Sequence, residues 1–261
     1  MEKKKLAIIG NGYLADIIVE AWEKGLLEEY EFTGILGRSQ EKTEALAKRA
    51  GCRPCFSIEE LLEEKPDYVA EAASVQAVKD HALKVLSAGA SLIVLSIGAF
   101  ADKEFYEKTA ECARQHGSRV HIASGAVGGF DVLRTVSLMG EVQASIRTKK
   151  GPKSLMGTPL FKDSLMTDTE ESCVFTGNAK EAIALLPTKV NVAVASSLAT
   201  AGPEQTGVRI YSVPEMVGDD HKITAEIPGV TAVVDIYSST AAIAAWSAVE
   251  RLRNLASPIV F

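Results

Sequence analysis

The stretch that decides the fold is "AIIGNGYLADIIVEAW", residues 7–22. A short apolar run meets two glycines one residue apart, and a helical pattern follows at once. The spacing Gly10-x-Gly12-x-x-Ala15 matches the G-x-G-x-x-G/A pattern of dinucleotide-binding units. In such units the first glycine permits a tight turn, the second lets a pyrophosphate approach the backbone, and helix N–H groups face the phosphates. We predict a dinucleotide site here, rather than a purely structural turn, with these contacts: Gly10, Asn11, Gly12, Tyr13 and Leu14.

The first half of the chain alternates between strand and helix patterns. Apolar runs of strand length occur at 6–9, 32–36, 68–72, 92–95 and 120–123, and helical patterns occur at 14–22, 41–50, 58–64, 75–88 and 103–116. This alternation is typical of βαβ units with right-handed crossovers. It predicts an α/β fold with a doubly wound parallel (Rossmann) sheet.

The second half follows a different pattern. Strand-like runs at 142–148, 173–176, 208–212, 222–227 and 231–236 are mixed with helical segments at 179–186 and 190–199. This mixture predicts a second, α+β domain. The last helical segment carries an apolar stripe that includes Trp246 and Leu252. We therefore expect a dinucleotide-binding domain over 1–123, onto which a helix over 240–256 packs back, and a substrate and oligomerisation domain over 124–239.

Composition narrows the possible partners and location. The 261 residues carry a formal net charge of −6, which argues against nucleic acid or an anionic membrane as the main partner. The basic start has no apolar run long enough for a signal peptide or a membrane span, so we expect a cytoplasmic protein. Cys52 and Cys55 form a C-x-x-C without further ligands at suitable spacing, so we expect buried thiols and no metal site.

The end of the second predicted strand bears on cofactor choice. Enzymes that use NAD commonly place Asp or Glu there to bind the ribose hydroxyls. This chain has Gly37, followed by Arg38 and Ser39, which suit a 2′-phosphate. Because an arginine can also stack on adenine, the pattern serves either cofactor. We predict that NADP is accepted as well as NAD and leave the preference open; the alternative is a solvated Arg38.

Several stretches together resemble the L-aspartate dehydrogenase family. They are "AEAASVQAVKDHALKVL" (70–86), "LSIGAFAD" (95–102), "SGAVGGFDVL" (124–133), "GPKSL" (151–155), "FTGNAKEAIALLPTKVNVA" (175–193) and "ERLRNLASPIVF" (250–261). The glycine-rich stretch at 124–133 is the most specific. The resemblance implies oxidation of L-aspartate by NAD(P)⁺ to iminoaspartate, which hydrolyses to oxaloacetate and ammonia, or the reverse reaction.

The resemblance also implies site residues. The family's catalytic histidine falls on His221, its cofactor-contacting asparagine on Asn191, and the alanine beside the nicotinamide on Ala126. Further cofactor contacts are expected after the fourth and fifth strands, at Ala72, Ala73, Ser74 and Ser96. Relatives often carry Asp where this chain has Val213 and Asn where it has Asp219, which leaves the hydrogen-bond partner of His221 and the exact substrate open.

The residue types themselves support part of this assignment. Of the four histidines only His221 lies in the second predicted domain, in what reads as a polar loop beside Asp219 and Asp220. Its side chain suits proton transfer near neutral pH, and a solvated surface histidine is the alternative. A dicarboxylate needs cations or clustered donors, for which we predict Lys153, Ser154 and the backbone N–H groups of Gly128 and Gly129.

Three functions remain possible at this point. The first is an aspartate dehydrogenase, the second is an NAD(P)-dependent reductase of another small dicarboxylate or imine, and the third is a non-catalytic NAD(P)-binding sensor. We expect a small-molecule amino-acid or dicarboxylate partner. We also expect a homo-oligomer, with a dimer as the simplest form.

Overall fold

The computed structural model describes residues 2–186 and 191–261, and the predicted start of a helix at 190 lies outside these residues. The chain divides into two compact units. Unit 1 comprises residues 1–125 and 242–261, and unit 2 comprises residues 126–241. Among the described residues no helix is both long and apolar enough to cross a membrane.

Unit 1 contains a six-stranded sheet in which every described pairing is parallel. Its strands are β1 (Lys4–Ile9), β2 (Tyr30–Leu36), β3 (Arg53–Cys55), β4 (Tyr68–Glu71), β5 (Ser91–Val94) and β6 (Val120–Ile122). Their spatial order is β3-β2-β1-β4-β5-β6. The chain builds the sheet outward from β1 to one side and then, from β4 on, to the other side, which confirms the doubly wound prediction. Such a sheet binds its ligand at the carboxyl ends of the strands next to this reversal.

The helices of unit 1 carry the apolar stripes that the sequence indicates. They are α1 (Tyr13–Glu23), α2 (Gln40–Ala50), α3 (Ile58–Glu63), α4 (Val75–Ser87), α5 (Lys103–His116) and α10 (Ala242–Ala256). Helix α10, from the far end of the chain, packs against α1. The buried hydroxyl of Tyr30 donates a hydrogen bond to the Leu252 carbonyl at 2.7 Å, which fixes α10 to the strand layer.

Unit 2 contains a five-stranded mixed sheet and four helices within the described residues. The strands are β7 (Gln143–Lys150), β8 (Ser172–Asn178), β9 (Thr206–Ser212), β10 (Asp219–Ile227) and β11 (Val230–Ser238), in the order β11-β10-β7-β9-β8. The helices are α6 (Phe130–Met139), α7 (Pro152–Leu155), α8 (Ala179–Leu185) and α9 (Asn191–Leu198). Only β7 and β9 pair in parallel, so the predicted α+β class is confirmed.

The second sheet has one buried and one exposed face. Alternate residues of β10, among them Ile223 and Ala225, are buried on the face that α6 packs against. On the other face Val233 and Tyr237 of β11 are 49% and 61% exposed. The buried face continues directly into the site described below.

The cysteine pair is set in unit 1, where Cys55 ends β3 and is fully buried. Burial raises the pKa of the Cys52 thiol to about 12 and also raises that of Cys55. Within residues 2–186 and 191–261 there is no cluster of metal-ligating side chains.

Candidate active site

The glycine turn connects β1 to α1 and has room for a pyrophosphate. Gly10 has a φ of +128°, and a Cβ there would lie 2.5 Å from the Ala72 carbonyl oxygen. A Cβ on Gly12, by contrast, would meet nothing within 4 Å, so its backbone is open to a ligand. Gly12 is the N-cap of α1. The free backbone N–H groups at this end of a helix attract phosphate. The residues present therefore fit a dinucleotide.

A cavity of about 530 Å³ lies over this turn within unit 1. It is lined by seven of the predicted cofactor residues, which are Gly10, Asn11, Gly12, Arg38, Ala72, Ala73 and Ser74. Tyr13, which is 60% exposed, lines a neighbouring hollow, and Leu14 packs against the hydrophobic core. Ser39 and Ser96 do not line the cavity, and their contact with a cofactor stays a prediction.

The cavity also has a wall that the sequence analysis missed. Residues after β3 and on the first turns of α4 complete it, namely Phe56, Ser57, Ile58, Gln76, Ala77, Asp80 and His81. The i,i+4 pairs Gln76–Asp80 and Ala77–His81 place these side chains on one helix face, which is a signal that the sequence carried. Burial lowers the pKa of His81, whose Nδ1 is buried without a hydrogen-bond partner.

The structure explains why no carboxylate follows β2. A Cβ on Gly37 would lie 2.3 Å from Nδ2 of Asn11 and 2.5 Å from Oγ1 of Thr43. The Asn11 amide donates hydrogen bonds to the Ser39 carbonyl at 3.0 Å and to Thr43 Oγ1 at 2.9 Å. Since these side chains fill the space, any side chain at position 37, a carboxylate included, would have to displace Asn11 or Thr43. Arg38 is left as the exposed cation at this end of the cavity.

In unit 2 the register of β7 against β10 builds a polar cluster. His221 lies opposite Thr148, and Asp219 lies opposite Lys150. Because side chains two residues apart share a face, all four side chains stand on the same side of the sheet. They line a cavity of about 400 Å³ within unit 2. The predicted residues Ala126, Ser154 and Asn191 line the same cavity.

The expectation that His221 lies in a polar loop is wrong. It lies in strand β10 and is only 4% exposed, because it continues the buried alternation of Ile223 and Ala225. Its Nδ1 is 3.0 Å from Thr148 Oγ1, and its Nε2 is 3.9 Å from the Asp219 carboxylate, beyond hydrogen-bond distance. Burial, aided by Lys150, lowers the pKa of His221 to about 4, although Asp219 acts in the opposite direction. The imidazole is therefore neutral at pH 7.

The cation of this cavity is Lys150, which the sequence analysis did not select. Its Nζ lies 2.7 Å from Asp219 Oδ2 in a half-buried ion pair. Lys153 is exposed and does not line the cavity. Gly128 and Gly129 also lie outside the lining, and Gly129 instead caps α6 with a φ of +67°. These placements do not support the predicted substrate contacts at Lys153, Gly128 and Gly129.

The resemblance also implied an Asp at the position of Val213, and this residue lies at the edge of the site. The Val213 backbone N–H donates a hydrogen bond to the Lys150 carbonyl at 2.8 Å. Its side chain does not line the cavity. Val213 therefore contacts the site only through this backbone hydrogen bond to Lys150, whereas Asp219 lines the cavity directly.

A dinucleotide turn on a doubly wound sheet, in one chain with a cavity that holds a neutral, buried imidazole, defines a nicotinamide-dependent dehydrogenase. Comparisons with known proteins identify which kind. Residues 10–123 match the model "Homoserine dehydrogenase, NAD binding domain", and residues 131–255 match "Aspartate dehydrogenase, C-terminal".

Known proteins that are similar over the whole chain point to the same family as the second of these models. L-aspartate dehydrogenases from Methanococcus maripaludis and Methanosarcina mazei are 31% and 34% identical, each over 98% of both chains. The crystal structure of aspartate dehydrogenase from Thermotoga maritima is similar with a TM-score of 0.79 and 27% identity, over 100% of both chains. This chain belongs to the L-aspartate dehydrogenase family, and its cofactor is NAD or NADP.

Proposed function

We propose that the protein oxidises L-aspartate to iminoaspartate with NAD(P)⁺, followed by hydrolysis to oxaloacetate and ammonia, or catalyses the reverse reductive amination. The observation that carries this proposal is the neutral His221 beside Lys150 in a polar cavity, in a chain with a dinucleotide turn. When bound, the nicotinamide supplies hydride acceptance and donation. The protein's own groups must then hold the amino acid and move protons.

His221 is the proton carrier in this proposal. A neutral imidazole accepts a proton from the water that attacks the imine and returns it to the leaving amine. Thr148 holds Nδ1, which orients the ring, and Nε2 is left for the reacting groups. Ala126 and Asn191, which line the same cavity, are proposed to contact the cofactor.

Lys150 is the proposed partner of a substrate carboxylate, with Ser154 also lining that cavity. A buried ammonium binds a carboxylate more strongly than an exposed one does, because the low local dielectric strengthens the attraction. The exposed Lys153 was the candidate from sequence, and the two lysines form a natural matched pair for a test.

The activity is tested by following NADH and NADPH consumption with oxaloacetate, with and without ammonia. The proposal requires ammonia-dependent turnover. Turnover only with another carbonyl or imine acceptor would indicate the alternative reductase, and binding of NAD(P)H without any turnover would indicate a sensor.

The residue roles are tested in the same assay. We expect His221→Asn to lower kcat by about 10²–10⁴-fold while the Kd for NAD(P)H stays unchanged. Lys150→Met should raise the KM for aspartate by about tenfold or more. Lys153→Met is the control and should leave this KM unchanged; the opposite result for the two lysines would move the substrate site to Lys153.

We also propose a cytoplasmic homodimer. The four free thiols are consistent with a reducing compartment. The exposed face of the second sheet, with Val233 and Tyr237, supports self-association, and its test is given in the Discussion.

A further inference from the structure

The most deeply buried carboxylate of unit 1 belongs to Glu71, the last residue of β4. It is 1% exposed and follows Tyr68, Val69 and Ala70 in that strand. Among the described residues it has no ion-pair partner. A buried, uncompensated carboxylate is costly, so its environment must provide another form of stabilisation.

Five hydrogen bonds provide that stabilisation. Oε1 accepts the backbone N–H groups of Ala73 and Ser74, both at 2.8 Å, and the Ser96 hydroxyl at 2.8 Å. Oε2 accepts the backbone N–H groups of Ser96 at 2.9 Å and Leu95 at 3.3 Å. Four of these donors are backbone N–H groups that cannot act as acceptors, so the geometry suits an ionised carboxylate.

The donors come from two different loops. Ala73 and Ser74 form the turn from β4 into α4, and Ser74 also caps α4 by accepting the Ala77 N–H. Leu95 and Ser96 follow β5, which pairs with β4 in parallel. The Glu71 carboxylate therefore connects the two loops at the carboxyl ends of neighbouring strands. It does not itself line the cofactor cavity, whereas Ala73 and Ser74 do.

The two loops that Glu71 connects both belong to the β4–β6 half of the sheet. In a doubly wound sheet of this order, β1–β3 form one mononucleotide-binding half and β4–β6 form the other. The acidic or basic residue after β2 recognises the adenosine ribose, so the nicotinamide half belongs to β4–β6.

We propose that Glu71 is a positioning residue which holds the β4 and β5 loops in the conformation that binds the nicotinamide half of the cofactor. Burial raises the pKa of this carboxyl group and the hydrogen bonds oppose that rise, so the group's charge depends on the loops staying in place. The proposal rests on the dinucleotide site of unit 1. Failure of the wild-type protein to bind NADH would remove that site itself and would be distinguishable from every outcome below.

The test is Glu71→Gln, which keeps the size of the side chain but points amide donors at backbone donors. Binding of NADH, followed by nicotinamide fluorescence, and binding of ADP, followed by calorimetry, are compared in the full-length protein. If the wild type binds NADPH more tightly, NADPH and 2′,5′-ADP are used instead. We expect the Kd for NADH to rise about tenfold or more while the Kd for ADP changes less than about twofold.

A matched control and a second variant keep the result interpretable. Glu60 accepts the Phe56 N–H at 2.7 Å in the first half of the sheet, so Glu60→Gln should not change NADH binding relative to ADP binding. If Glu71→Gln does not fold, Glu71→Asp keeps the charge but is one methylene too short to reach both loops, and the same selective loss is expected. An unchanged Kd for NADH, or equal losses for NADH and ADP, would overturn the proposal.

Discussion

Asp219 is the residue that most alters the chemistry of the proposed substrate cavity. Its carboxylate pairs with Lys150 and so neutralises the cation that would bind a substrate carboxylate. An asparagine at this position would lack this competing charge. We expect Asp219→Asn to lower the KM for aspartate by about fivefold to tenfold, because Lys150 no longer has to leave a charged partner.

The same substitution has a second readout with a defined sign. Asp219 raises the pKa of His221 against the larger effect of burial. Its removal should therefore lower the pKa of His221 further and move the acidic limb of the kcat/KM profile to lower pH. A folded variant with wild-type KM and pH profile would show that the ion pair does not compete with substrate.

Arg38 is the residue expected to distinguish the two cofactors. It is exposed at the adenosine end of the unit 1 cavity, next to Gly37, which provides no carboxylate. We expect Arg38→Ser to raise the Kd for NADPH by about 10- to 100-fold, the size of a charge-assisted hydrogen bond, and the Kd for NADH much less. Lys48→Ala, which removes an exposed cation of α2 that lines neither that cavity nor the hollow beside Tyr13, is the control. Equal losses for both cofactors would indicate stacking on adenine instead of 2′-phosphate binding.

The sequence located some of these residues better than others, for physical reasons. The glycine turn is a local pattern in which each residue type follows from backbone geometry, so Gly10 and Gly12 could be identified directly. Lys150 ends β7 and its side chain reaches the cavity, whereas Lys153, three residues further on, lies in α7 and is exposed; the sequence pattern did not show where the strand ends. Two adjacent aspartates suggested a loop around His221, although the alternation of His221, Ile223 and Ala225 indicates a strand.

At the scale of elements, the cavity of unit 2 depends on strand register. His221 and Thr148 are 73 residues apart and meet only because β7 and β10 pair without a bulge along the described register. A shift of one residue would turn His221 to the opposite face. Periodicity predicts both strands, but it does not predict which strands pair or in what register. The α+β class was therefore predictable and the cluster of Lys150, Asp219 and His221 was not.

The β1–α1 turn allows stability to be separated from cofactor binding. Gly10→Ala places a methyl group 2.5 Å from the Ala72 carbonyl oxygen at a φ of +128°. It should lower the free energy of unfolding by about 2 kcal/mol or more and weaken NAD(P)H binding. Thermal melting and fluorescence titration measure the two effects.

Gly12→Ala is the matched substitution in the same turn. Its Cβ would meet no protein atom within 4 Å and its φ of −102° suits any residue, so the melting temperature should stay close to that of the wild type. NAD(P)H binding should nevertheless fall by about tenfold or more, because the methyl group occupies the space for the pyrophosphate. Wild-type affinity in this variant would contradict the proposed position of the dinucleotide.

At the scale of the whole molecule, the chain passes through unit 2 before unit 1 is complete. Helix α10 follows all of unit 2 in the sequence but belongs to unit 1, where its Leu252 is fully buried. The apolar stripe at 243–255 predicts that this helix must bury one side. Unit 1 therefore cannot be completed from the N-terminal segment alone.

Self-association should take place through the exposed face of the second sheet. Among residues 2–186 and 191–261, α6 packs on the face that carries Ile223 and Ala225, while Val233 and Tyr237 lie exposed on the other face of β11, an edge strand. An unpaired strand edge of this kind offers backbone groups to which a second chain can pair. Light scattering coupled to gel filtration should give twice the 27.8 kDa chain mass, and Val233→Glu should shift the protein toward the monomer.

Leu138→Glu adds the same charge at an 86% exposed site on α6 and should leave the mass unchanged. A dimer that persists in Val233→Glu but dissociates in Leu138→Glu would place the interface on the helical side instead.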